Sequence, residues 1–124
     1  MAVKIEPNTL GDGIKWEEDN DYSRRKITVA SGNSVVALEV VGQITASGKF
    51  APLDQDATDG TEAAAGIMVA DIDASAADMA GVIIESDALV AMDNLVWPDD
   101  IDAGEKTAAI AQLVALGIKA VTLA

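Results

Sequence analysis

The sequence predicts a mainly β fold with one helix near the C-terminus, over about residues 103–116, and an irregular arm over residues 1–20. Three observations carry this. From Tyr22 onward short runs of alternating or continuous apolar residues are punctuated by Gly, Ser, Asn and Asp, the pattern of strands and turns. One segment alone has start and stop signals at helical spacing. The first twenty residues hold Pro7, Asn8, Gly11, Asp12 and Gly13 and then a nearly all-acidic run, which breaks any period. Residues 21–124 are therefore expected to be one compact domain, and residues 1–20 an arm without stable order in the free protein.

In order along the chain, residues 1–5 can be extended, with Val3 and Ile5 on one side, and twenty extended residues reach on the order of 60–70 Å. Trp16 lies among charges, either as a cap over the domain's core or as an anchor for a partner. Lys26-Ile27-Thr28-Val29 alternates as a strand, and Ser31-Gly32-Asn33 reads as a turn. In VVALEVVGQITA, the residues Val36, Leu38, Val40, Ile44 and Ala46 share one face of an expected half-buried strand, with Gly42 marking a bulge or a close backbone approach. Ser47-Gly48-Lys49 is a hairpin turn into a strand at Phe50, and residues 54–60 are loop by composition. AGIMVADI is read as one strand and DASAADM as a polar connection; AGVIIE and ALVAM are read as a hairpin about Ser86 and Asp87.

LVWPDD follows. Proline restricts itself and its predecessor, so the expectation is a strand end whose indole, Trp97, is largely buried before the chain turns at Pro98. Asp102 then serves as N-cap, Glu105 completes a capping-box spacing, and Gly117 stands at C′. Ala103, Thr107, Ile110 with Ala111, and Val114 recur near the helical period, and Leu113 broadens that stripe. Lys106 at N4 leaves no hydrophobic staple with Ile101, and IKAVTL reads as a short last strand. No long β-α-β rhythm appears, which disfavours a doubly wound nucleotide fold.

Composition bounds the function. The chain of 124 residues is half apolar but has one Phe and one Tyr. Because stabilisation scales with buried apolar area, at roughly 25 cal/mol per Å², an alanine-rich core invites oligomer contacts. A net charge of −13 opposes nucleic acid and anionic membranes. The one basic cluster, Arg24-Arg25-Lys26, reads as a solvated edge or a partner for Glu17 and Glu18. With no His and no Cys, triads, disulfides and the usual zinc sites are excluded, and no phosphate loop or dinucleotide fingerprint occurs. Asp54, Asp56 and Asp59, and again Asp71, Asp73, Ser75 and Asp78, begin calcium-loop spacings. Neither run has the glycine at position six or the glutamate at position twelve, so both are read as solvated loops. The residues thus point to no enzyme, cofactor, metal or small-molecule substrate. MAVKIEPNTLGDG lacks the apolar h-region of a signal peptide, and no apolar run reaches membrane-span length.

Taken together, residues 47–73 and 95–118 resemble the head decoration proteins of tailed bacteriophages, the family of the lambda capsid-stabilising protein. The resemblance rests on Ser47, Lys49 and Phe50; on the Thr58-Asp59-Gly60 turn; on residues 63–65 followed by Gly66 and Ile67; on Leu95, Trp97, Pro98 and Asp99; and on Lys106, Thr107 and Ala108. It covers roughly the C-terminal 75 residues, is weaker over residues 74–93, and does not extend to residues 1–21. It implies a bent β-ribbon with an incomplete small barrel, a structural and non-catalytic role, and Trp97-Pro98 as a junction between ribbon and helix. It also implies homotrimers at three-fold and quasi-three-fold sites on the outside of the expanded head, stabilising it against DNA pressure. The partners would be a second and third copy and the major capsid protein, reached by the N-terminal arm with Val3, Ile5 and Trp16 as contact residues. The protein would be made in the bacterial host cytoplasm. The alternative reading is a non-viral homo-oligomeric surface or adhesion module; an acidic carbohydrate-binding or hydrolytic domain is opposed by the shortage of aromatic residues.

Overall fold

Consecutive apolar pairs explain the architecture. In the computed structural model, which describes residues 14–17, 24–86, 88–91 and 94–121, the pairs Val40-Val41, Ile67-Met68 and Ile83-Ile84 are all buried. Successive side chains of a strand point to opposite faces, so a buried pair means a strand covered on both sides. The strands concerned are β4 (Val40–Gln43), β6 (Gly66–Met68) and β8 (Met79–Ile84), and they form one wall. Register aligns Val40 with Ile67 and Ile67 with Ile84 on one face, and Met68 with Ile83 on the other.

On the inner face the wall curls into a closed five-stranded barrel, completed by β2 (Arg24–Val29) and β5 (Phe50–Pro52) in the order β2-β5-β4-β6-β8. Its core is Ile27, Val29, Val41, Phe50, Met68 and Ile83, with Val35 and Ala74 from a two-stranded flap of β3 (Asn33–Val35) and β7 (Ile72–Ala74). β2 and β8 pair antiparallel over six residues each, whereas closure between β2 and β5 rests on the single parallel pair Val29↔Phe50, helped by Ala30 N–H donating to the Phe50 carbonyl at 2.8 Å. Barrel closure is thus thin on one side, where the resemblance implied an incomplete barrel.

On the outer face the wall carries a second core: Leu38, Val40, Leu53, Ile67, Ile84, Val90, Leu95, Leu113 and Ile118, with Ala64, Ala88 and Ala109. Helix α1 (Ala103–Ala115) covers it together with a sheet in the order β1-β9-β10, formed by β1 (Ile14–Glu17), β9 (Ala88–Ala91) and β10 (Ile118–Val121). β9 and β10 are parallel, so β9-α1-β10 is a single crossover unit, which short-range periodicity does not reveal.

Several expectations are corrected. VVALEVVGQITA is not one strand: Val36 is exposed and Ala46 is exposed, and the chain turns between β3 and β4 with Leu38 at φ 70°. A non-glycine residue in that region costs on the order of 1–3 kcal/mol, and Leu38 is held there because its side chain is wholly buried in the outer core. Its N–H also donates to the Met68 carbonyl and its carbonyl accepts from Val96 N–H, both at 2.9 Å. Gly42 marks a close approach: a Cβ there would lie 2.6 Å from Thr61 Cα. AGIMVADI splits into β6 and β7, which go to different sheets, and AGVIIE and ALVAM do not pair as a hairpin, because β8 joins the barrel and β9 the outer sheet. Of the stripe read along the helix, Leu113 alone is fully buried in the core. Ala109 is buried beside it, while Ala103, Thr107, Ala111 and Val114 are exposed.

Candidate functional site

The structure separates the residues singled out in the sequence into three places. The first is the outer sheet. Within the stretch expected to be an unordered arm, Ile14–Glu17 pairs antiparallel with β9, through Ile14↔Val90, Trp16↔Leu89 and Glu17↔Ala88, with a bulge between Ile14 and Trp16. Ile14 packs on the outer core. β1 is an edge strand of this sheet. Val3 and Ile5 lie outside the described residues, as does the side chain of Trp16.

The second place is the junction. Val96 makes a parallel bridge to Glu39, its N–H donates to the Leu38 carbonyl, and its own carbonyl accepts from Val40 N–H at 3.1 Å. LVWP thereby fastens the strained turn before β4 to the segment entering the helix. Trp97 packs against the outer core and is partly buried, with its indole not fully closed off from solvent. The Pro98 carbonyl accepts from Ile101 N–H at 3.2 Å, and the chain then enters α1 with both arms of a capping box: Glu105 N–H donates to Asp102 Oδ1 at 2.7 Å and Asp102 N–H to Glu105 Oε1 at 3.0 Å. Gly117, at φ 94°, stands just past the helix end and donates to the Val114 carbonyl.

The third place is the set of acidic loops, where the carboxylates hold backbone. Asp59 Oδ1 accepts from the Thr61 hydroxyl at 2.6 Å and from Thr61 N–H, and Asp73 Oδ1 accepts in the same way from the Ser75 hydroxyl and N–H. These bonds favour the ionised form and hold both carboxyls below their ordinary range. Asp71 Oδ1 accepts from Ala37 N–H at 2.8 Å, and Asp78 accepts from Lys49 Nζ at 2.6 Å and from Ser31 N–H, which lowers its pKa too. No group of three or more acidic side chains among the described residues is arranged to hold a metal ion. The D-x-[ST] spacing of Asp59 and Thr61 and of Asp73 and Ser75 was the available signal for these turns. Arg25 pairs with Glu85, just past the neighbouring strand β8, at 3.4 Å and lies over the Phe50 ring.

An open groove of about 450 Å³ runs beside the junction, lined among others by Pro52, Asp54, Asp59, Pro98 and Asp100. What emerges is a body stapled by its own loops, an edge strand continuing from an N-terminal segment, and a helix anchored at both ends. Residues 3–118 match the family model for bacteriophage lambda head decoration protein D. The chain belongs to the lambda head decoration protein family. The match begins at residue 3 and runs through residues 74–93, so it includes most of the stretch to which the sequence resemblance did not extend and the segment where it was weaker. No curated protein matches the chain. A head decoration protein is a non-catalytic structural component of the virion, made in the host cytoplasm and carried on the outside of the capsid.

Proposed function

We propose that this decoration protein binds the expanded head as homotrimers at three-fold and quasi-three-fold sites, contacts the major capsid protein through residues 2–13, and stabilises the shell against the pressure of packaged DNA. The observation that supports this reading best is β1. It is an edge strand tied to the outer core by Ile14, and the stretch that precedes it in sequence bears Val3 and Ile5, which can add to a partner's sheet while the body stays folded. The stabilisation is mass action: a protein that binds only the assembled, expanded lattice lowers the free energy of that state alone. Ordering an arm costs roughly 1–2 kcal/mol per residue, and three arms on one body offset this by raising the effective concentration of each remaining contact once the first has formed. Nothing in the fold favours the non-viral adhesion module.

The test is a truncation of residues 2–13, which spares β1. Circular dichroism melting of the free protein should be unchanged, while co-sedimentation with expanded, undecorated heads should be lost. Full occupancy by the truncated form would move the capsid contact onto the body.

A further inference from the structure

On its β5 side, β2 is paired at one end only. β8 accompanies it over all six residues, but β5 meets it at Val29↔Phe50 alone. Strand alternation shows which backbone groups this leaves over. The Val82 carbonyl accepts from Val69 N–H, so Val82 turns its backbone away from β2, and Lys26↔Val82 is a non-hydrogen-bonded pair. The N–H and C=O of Lys26 and the N–H of Thr28 therefore face the β5 side, as Ala30 N–H does where it donates to the Phe50 carbonyl. Opposite them stands the turn before β5, whose own groups are already used. Gly48 N–H donates to the Ile44 carbonyl at 2.8 Å, and the Lys49 carbonyl accepts from Ile44 N–H at 2.7 Å. Lys49 N–H donates to the Ser47 hydroxyl, and the Gly48 carbonyl accepts from Gln43 Nε2. The seam is an open groove of about 400 Å³, lined among others by Arg25, Lys26, Thr28, Gly48 and Phe50. Four of the chain's eight basic residues, Arg24, Arg25, Lys26 and Lys49, lie on β2 or the facing turn, and no residue lining the groove is acidic. Arg25 is shared with Glu85 and Lys49 with Asp78, whereas Lys26 is exposed and forms no ion pair among the described residues.

We propose that this seam takes a strand of a partner protein, an extended segment with carboxylates at alternate positions, added to β2 along residues 26–28. Such a strand offers the backbone partners that Lys26 and Thr28 lack. Its alternate side chains share one face, so a carboxylate opposite Lys26 completes a cross-strand ion pair. Lysine on an edge keeps out neutral and basic strands while it admits an acidic one. A nucleic acid supplies charge without a strand backbone, and a chain at −13 repels it. The seam lies on the barrel, in a different sheet from β1, so it is a second contact beside the attachment through residues 2–13 and does not depend on it.

The experiment is an NMR titration of the isotopically labelled full chain with a capped hexapeptide of alternating Glu and Thr. The same peptide N-methylated at every residue and a short oligothymidylate serve as comparison probes. In the free protein the Lys26 and Thr28 amides should exchange with solvent faster than the Ile27 amide, which faces β8. The Glu-Thr peptide should shift the amides of Lys26, Thr28 and Gly48 and slow exchange at the first two, and the comparison probes should do neither. Thr28→Pro removes only the free N–H and Lys26→Glu reverses the charge; each should weaken peptide binding by roughly 10-fold. Circular dichroism melting checks that both fold, and Lys26→Glu, at an exposed position, decides alone if Thr28→Pro does not. Lys26 and Thr28 amides as slow as that of Ile27 would mean that the edge is filled in the free protein, and would overturn the proposal. Equal shifts with the N-methylated peptide would reduce the contact to charge attraction and overturn the added strand, and equal shifts with oligothymidylate would overturn the protein partner. No shift at millimolar peptide, or full binding by Lys26→Glu, would overturn the seam itself.

Discussion

The two cores lie back to back on one wall yet are built differently. Inside the barrel, Phe50, Ile27, Val29, Val41, Met68 and Ile83 are enclosed by strands bonded to one another around a ring. On the outside, the core is closed by a helix and a three-stranded sheet, and three of its members are Ala64, Ala88 and Ala109. Alanine adds little area and lets backbones approach closely, so the outer layer is held as much by caps and the Val96 bridge as by apolar burial. The barrel is thus the rigid body, and the outer layer is the part that carries the edge strand and the uncharged helix face.

The largest test of this contrast is Phe50→Ala. It removes the chain's one phenylalanine from a site 2 % exposed and should cost about 3–5 kcal/mol, read by chemical denaturation. Because the wall is common to both cores, the loss should appear as one cooperative transition. Next is Leu113→Ala, wholly buried in the outer core, at about 2–4 kcal/mol. Native-state hydrogen exchange should show protection falling most in α1, β9 and β10 while β2 and β8 amides keep theirs; equal loss in both layers would erase the distinction. Gly42→Ala should cost about 1–3 kcal/mol, because its Cβ would meet the backbone at Thr61 and Ala63, which cannot swing aside. Trp97→Ala, at a partly buried site, should cost about 1–2 kcal/mol, less than at a fully closed one.

The smallest effect is a gain. Burial pushes the Glu39 carboxyl above its ordinary range, against the opposing influence of the Val36 N–H that donates to it at 3.0 Å. The folded state therefore binds a proton more readily than the unfolded chain, and stability declines as pH rises through the window from the unfolded to the raised folded value. Glu39→Gln keeps an acceptor for Val36 and removes the charge. It should raise the melting temperature slightly at neutral pH, and the difference should vanish as the pH is lowered below that window. An unchanged difference at low pH would mean that burial of the charge is not the cause.

Local patterns were legible where one short segment holds all the information. The Asp102-Glu105 box and Gly117 gave the helix its limits, because capping is settled within a few residues. Gly48 at φ 74° with its N–H on the Ile44 carbonyl gives the turn read at Ser47-Gly48-Lys49, and the family motifs around Thr58-Asp59-Gly60 and LVWP gave the decoration role. The failures have one physical origin. A consecutive apolar pair says that both sides of a strand are buried but not what buries each side, so Val40-Val41 and Ile67-Met68 could not announce two cores. Strand partners are chosen across long separations, as β1 with β9 and β2 with β8 show, and neighbours in sequence such as β8 and β9 were drawn into different sheets. The helix had two apolar sides, and periodicity alone cannot say which will meet the core; packing against the wall selected Ala109 and Leu113 and left Val114 outside. Composition, charge, caps and family were thus properties of the chain itself, carried by local chemistry. The side of each element that is covered, and hence the surface left for another molecule, was decided by tertiary packing.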